Sequence, residues 1–203
     1  MTKFAVVYYS ATGTSEILAQ AVAAGIHSVA GAEAVVLKIA DTDIDHGRYK
    51  NREIMRQLDH CDGIVFGSPT FMGTVAAQFK AFMDATSERY SQRAWAGKLA
   101  AGFTIGGSPS GDQLNTIQTL QIFAAQHGML WMGIDLPSGW DTCGRNPSGA
   151  QAGLIAQRAD SGGVHRLDRL TAMYLGERLA GLRGFEKPAE PRYCAGIAGT
   201  AGQ

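Results

Sequence analysis

Lysine and arginine are absent from residues 4–28, and the gap constrains what the chain's first strand, turn and helix can hold. A triphosphate loop of the Walker type needs a lysine after its glycines, so that class is excluded here. Cysteine is scarce too. Cys61, Cys143 and Cys194 are three in number and widely spaced, which excludes a disulfide framework and a CxxC redox or zinc motif and predicts a reduced, cytoplasmic setting. Neither sign of charge is in excess: 18 basic and 18 acidic residues give a formal charge of zero, arguing against a nucleic-acid partner. No apolar run reaches membrane-spanning length, and Met1-Thr2-Lys3 leads into a strand with no signal peptide. His60 beside Cys61 finds no further ligand at useful spacing, so no metal is expected.

What is present reads as one domain. A chain of 203 residues with 45% hydrophobic and 18% charged residues buries a full core without staples. Phe4 to Tyr9 is a near-continuous apolar run, as a central parallel strand covered on both faces requires. Ala34–Ile39, Gly63–Gly67, Leu99–Ile105 and Met129–Ile134 read as four further strands. Helical spacing follows Ser15, marks residues 50–60 more weakly, runs on from Val75 through Phe79, Phe82 and Met83, and returns over 113–127 and 165–182. Asp112 is placed to cap the fourth helix and Gly128 to end it. Strands alternating with helices predict a doubly wound α/β fold, a three-layer α/β/α sandwich around a five-stranded parallel sheet in the order 2-1-3-4-5. Residues 184–203, rich in Ala, Gly and Pro, read as a tail beyond a domain at 1–183.

Three loops at strand carboxyl ends are rich in Gly, Ser, Thr and Pro, and in such a sheet they converge on one ligand. The first, Ser10-Ala11-Thr12-Gly13-Thr14-Ser15, offers hydroxyls and the free N–H groups of a helix start without any cation, which suits a phosphate. The second is Ser68-Pro69-Thr70-Phe71-Met72-Gly73. The third runs from Thr104 through Ile105, Gly106, Gly107, Ser108, Pro109 and Ser110. No catalytic triad or paired carboxylate stands out, as expected where a cofactor carries the chemistry.

The motifs VVYYSATGTSE (6–16), VFGSPTFMG (65–73), GKLAAGFT (97–104), QHGM (126–129) and AMYLGERLAGL (172–182) give the chain a resemblance to flavodoxin-like FMN proteins. Within them it looks like the WrbA-type NAD(P)H:quinone oxidoreductases over residues 3–183. The resemblance implies that residues 10–15 bind the FMN phosphate, that Pro69 to Gly73 flank the isoalloxazine ring and ribityl chain, and that Thr104 to Ser110 line the flavin from the other side. It also implies that His127, or Gln126 beside it, approaches the flavin and that Tyr90, with Trp95 nearby, receives the substrate. A quinone reduced through FMN by NADH or NADPH and a homo-oligomer, tetramer or dimer, are implied with it. An electron-transfer flavodoxin is the rival reading, disfavoured because such carriers are typically acidic and this chain is neutral. The segment from Asp135 to Gly163 is long for a loop and reads as a lid or an interface.

Overall fold

The computed structural model describes residues 1–182; the predicted tail lies outside the described residues. In chain order the elements are β1 (Thr2–Tyr9), α1 (Thr14–His27), β2 (Ala32–Ile39), β3 (Ile44–Asp45), β4 (Arg48–Tyr49), α2 (Arg52–Asp59), β5 (Gly63–Phe71), β6 (Thr74–Val75), α3 (Ala77–Asp84), α4 (Ser87–Ser91), β7 (Leu99–Gly106), α5 (Gln113–Gln126), β8 (Leu130–Trp131), β9 (Leu154–Gln157) and α6 (Arg166–Gly181). The main sheet runs β2-β1-β5-β7-β8, all parallel, so the predicted order 2-1-3-4-5 holds.

Strand β1 explains its own composition. Phe4, Val6 and Tyr8 pack into the layer formed with α1 and α6, while Ala5, Val7 and Tyr9 pack into the layer formed with α2, α3 and α5. A strand with two buried faces leaves no position for a polar side chain. On the first face α1 and α6 touch backbone to backbone: a Cβ added at Gly25 would lie 1.8 Å from Met173 O, and one at Gly176 would lie 2.0 Å from Val22 O. Only glycine on both helices allows that approach.

Two departures from the sequence reading matter. The fifth strand is split, with β8 pairing the start of β7 at Leu99–Ala100 and β9 pairing its end at Phe103–Gly106. The interposed loop is ordered, as its Trp and Pro content leads one to expect. Asn146 donates from Nδ2 to Leu136 O at 2.6 Å, its N–H bonds Thr171 Oγ1 at 2.7 Å, and Arg145, forked onto Asp141, lies 4.4 Å over the Tyr174 ring. Asp112 does stand at the N-cap of α5, but its backbone is left-handed (φ 56°) and its side chain caps nothing. Gly128, at φ 70°, ends that helix as predicted.

Candidate functional site

The first loop is shaped by one hydrogen bond and one glycine. Gly13 N–H donates to Ser10 Oγ at 3.1 Å, and Gly13 takes φ 88°, a conformation that costs a side-chained residue about 1–2 kcal/mol. Ile17 N–H closes the first helical turn onto Gly13 O, so the N–H groups of Thr14, Ser15 and Glu16 stand ahead of the intrahelical ladder. Ser10, Thr14 and Ser15 are buried, while Ala11 and Thr12 are exposed. Ser15 Oγ is buried without a hydrogen-bond partner. An orphaned hydroxyl beside free N–H groups at the start of a 14-residue helix fits a phosphate oxygen, and the dipole favours its charge. Tyr8, at the end of β1, is pushed up to about 12 by burial and by Glu16, and stays protonated.

The second loop is a hairpin. Thr70 pairs with Val75 and Phe71 with Thr74, leaving Met72 (φ 48°) and Gly73 (φ 80°) as a two-residue turn with both residues left-handed. Met72 is wholly exposed and Phe71 half exposed, so the tip presents apolar surface above the carboxyl end of the sheet. Helix α5 holds the hairpin from below, with Asn115 Nδ2 donating to Gly73 O at 2.8 Å. Thr70, Thr104 and Thr116 form a hydroxyl chain whose direction follows from proton counting. Thr104 donates to Ser68 O at 2.8 Å, so Thr70 donates to Thr104 and Thr116 donates to Thr70, each at 2.8 Å.

In the third loop, Thr104 and Ile105 are buried and Gly107 to Ser110 exposed. Gln113, fully buried, donates from Nε2 to Ser108 O at 2.8 Å and leaves Oε1 without a partner. Pro69 is buried beneath the hairpin. Asn115, Thr116 and Gln113 escaped the sequence reading; their signal was a run of uncharged polar residues along a helix that touches both loops.

Tyr90, Trp95 and His127 are not at this site. Trp95 precedes β7 and His127 precedes β8, so both lie at the amino end of the sheet, while the three loops lie at the carboxyl end. The length of β7 separates the ends by roughly 23 Å at about 3.3 Å per residue. Trp95 is fully buried and donates from Nε1 to Asp59 Oδ1 at 2.8 Å, so it cannot receive a reactant as expected. His127 is buried against Trp95, ring centroids 4.6 Å apart, with exposed Tyr90 edge-on at 6.1 Å. Thr86 gives its proton to Met83 O at 2.7 Å, so His127 Nε2 carries the hydrogen that bonds Thr86 Oγ1 at 2.9 Å. His127 Nδ1 then bears a buried, unpartnered lone pair, and burial pushes the imidazole down to about 4. The aromatic cluster and the loops therefore do not meet within one chain.

A parallel sheet in this order with three ligand loops at its carboxyl end defines a flavodoxin-like α/β protein. Residues 2–137 match the family described as NADPH-dependent FMN reductase, and the chain belongs to that family. It is 35% identical to a flavodoxin, FldP, of Pseudomonas aeruginosa over 77% of this chain and 82% of that protein. It is 31% identical to an NAD(P)H dehydrogenase (quinone) of Chromohalobacter salexigens over 91% of this chain and all of that one. The crystal structure of a WrbA-like flavodoxin protein from Agrobacterium tumefaciens superposes with a TM-score of 0.68 at 32% identity, over 89% of this chain and 96% of the other. The chain is accordingly an FMN-dependent oxidoreductase of WrbA type that draws electrons from NAD(P)H. No helix among the described residues is long and apolar enough to cross a membrane.

Proposed function

We propose that this oxidoreductase reduces quinones by two electrons, with FMN held by the three carboxyl-end loops. The observation that carries the cofactor assignment is the buried, unpartnered Ser15 Oγ in a cation-free helix-start loop. Ser10 to Ser15 would hold the phosphate through hydroxyls and N–H groups, each charge-assisted bond contributing roughly 1.5–3 kcal/mol before discounting for non-additivity. Pro69 to Gly73 would flank one side of the ring and Thr104 to Ser110 the other. FMN bound there would supply two-electron redox chemistry between NAD(P)H and the acceptor. The protein's part is to fix the ring, shield it with Phe71 and Met72, and leave an apolar face for a planar acceptor.

The neutral formal charge supports an enzyme over a carrier that docks by acidic charge. We also propose a cytoplasmic homo-oligomer. Exposed Tyr90 reaches a flavin only across a contact between copies, and α5 carries no charged residue while exposing Leu114 and Ile122. The test is anaerobic titration of the FMN-loaded protein with NADPH or NADH, followed by a quinone. Stoichiometric bleaching and return of the flavin spectrum is expected. Reduction only by a protein donor establishes the carrier instead. Gly13→Val should lose bound FMN on gel filtration, and a variant that folds and stays fully yellow overturns the loop assignment.

A further inference from the structure

Two buried polar atoms without partners border the carboxyl-end loops, and their chemistry is opposite. Ser15 Oγ bears a hydroxyl, which can donate to a phosphate. Gln113 Oε1 can only accept. Its identity as the oxygen is fixed by its neighbour: the other amide atom bonds Ser108 O at 2.8 Å, and only the NH2 group can meet a carbonyl. The remaining buried side-chain atoms without partners among the described residues, Tyr49 Oη and His127 Nδ1, belong to rings packed in the core against Phe82 and Trp95.

The Gln113 side chain is wholly buried at the first position of α5, enclosed by a loop that leaves room for it. A Cβ at Gly106 would lie 3.0 Å from its Cδ and 3.3 Å from its Nε2, so the amide fills the space that a side chain there would take. Around it residues 107–112 are exposed, with Gly111 (φ 48°) and Asp112 (φ 56°) both left-handed. The bond to Ser108 accounts for the amide nitrogen. The oxygen, buried without a partner, costs the folded chain stability, and a methionine would fill a similar volume without that cost.

An acceptor held in this way selects for a donor. The phosphate and the two ring carbonyls of FMN are themselves acceptors; its donors are the imide N3–H and the ribityl hydroxyls. We infer that Gln113 is a specificity-determining residue of the flavin site, its nitrogen holding the third loop at Ser108 while its oxygen accepts a hydrogen bond from an N–H or O–H of the bound flavin. This rests on the proposed placement of FMN between the three loops. Segment 107–111, exposed and carrying two glycines, is the part of the wall that yields to admit the donor.

The test is equilibrium titration of the flavin-free chain, followed by flavin fluorescence, with FMN, 3-methyl-FMN and the 2′-, 3′- and 4′-deoxy forms of FMN. At least one analogue, lacking the donor that Gln113 meets, should bind wild type about tenfold more weakly than FMN. A penalty for 3-methyl-FMN assigns the bond to the imide, and one for a deoxy form assigns it to the ribityl chain. In Gln113→Met that analogue and FMN should bind within about twofold of each other, because the acceptor is gone from both complexes. Loss of the Ser108 bond weakens every flavin alike and cancels in the ratio. Gln113→Glu keeps an acceptor and should keep the penalty. Equal binding of all the flavins to wild type, which needs no variant, overturns the inference, as does a penalty unchanged in Gln113→Met or abolished in Gln113→Glu. Failure of wild type to bind FMN overturns the proposed site instead.

Discussion

At the amino end of the sheet, polar groups are mostly spent on one another, the unpartnered His127 Nδ1 aside; at the carboxyl end, several are left over. Asp59 at the first end accepts the fork of Arg89, at 2.8 to 3.1 Å, and the indole N–H of Trp95 at 2.8 Å. Lys98, nearly buried, donates to Leu58 O and Asp59 O at 2.9 and 2.6 Å. The opposite end carries an unpartnered Ser15 hydroxyl, an unpartnered Gln113 carbonyl and a wholly exposed Met72 in a left-handed conformation. Both ends come from the same alternation of strand and helix. The closed end acts as scaffold, and the open end keeps binding capacity that folding alone does not use.

The comparison breaks most visibly if a closed-end substitution changes flavin binding. Asp59→Ala removes the partner of a guanidinium and of a buried indole, at an expected cost of about 3 kcal/mol, reduced from the fully buried case because the pair is partly exposed. Chemical denaturation measures the loss. The FMN dissociation constant of the folded fraction should stay within about twofold, and a large change would mean the two ends are coupled.

A pH series sharpens the same point at His127. Its imidazole titrates near about 4 in the folded chain against 6.5 ordinarily, so the unfolded chain binds more protons between those values. Stability from this group is complete above about pH 6.5 and is lost as pH falls toward 4, by on the order of 2 kcal/mol. Burial-raised Asp168 works in the opposite direction, so the informative quantity is the difference between wild type and His127→Gln. The wild type should lose stability more steeply over that window. Parallel curves would show that the imidazole is already hydrated.

Much of this was legible in the chain. The doubly buried β1 declares itself because Phe4, Val6 and Tyr8 serve one helix layer and Ala5, Val7 and Tyr9 the other. Strand β9 did not, since four residues, Leu154–Gln157, are defined by their pairing to Phe103–Gly106 rather than by any period of their own. The location of Trp95 and His127 was readable and was missed. Residues immediately before a parallel strand must lie at the sheet's amino end, whatever role a resemblance lends them. The Gln113, Asn115 and Thr116 supports were harder, because uncharged polar residues on a helix look alike whether they face water or a loop.

Ser15→Ala isolates the difference between the ends in a single atom. The hydroxyl has no partner in the protein, so its removal deletes no hydrogen bond and relieves a buried polar group of its desolvation cost. Thermal denaturation of the flavin-free variant should give a Tm equal to or above wild type. FMN affinity should nevertheless fall about tenfold, the equivalent of one charge-assisted hydrogen bond lost to a phosphate oxygen. Riboflavin, which lacks the phosphate, should bind both forms alike. Loss of stability would place the hydroxyl in the scaffold, and an unchanged FMN affinity would remove it from the cradle. A gain in apo stability joined to a loss of phosphate-dependent affinity is the signature of a group that the fold holds in reserve for its ligand.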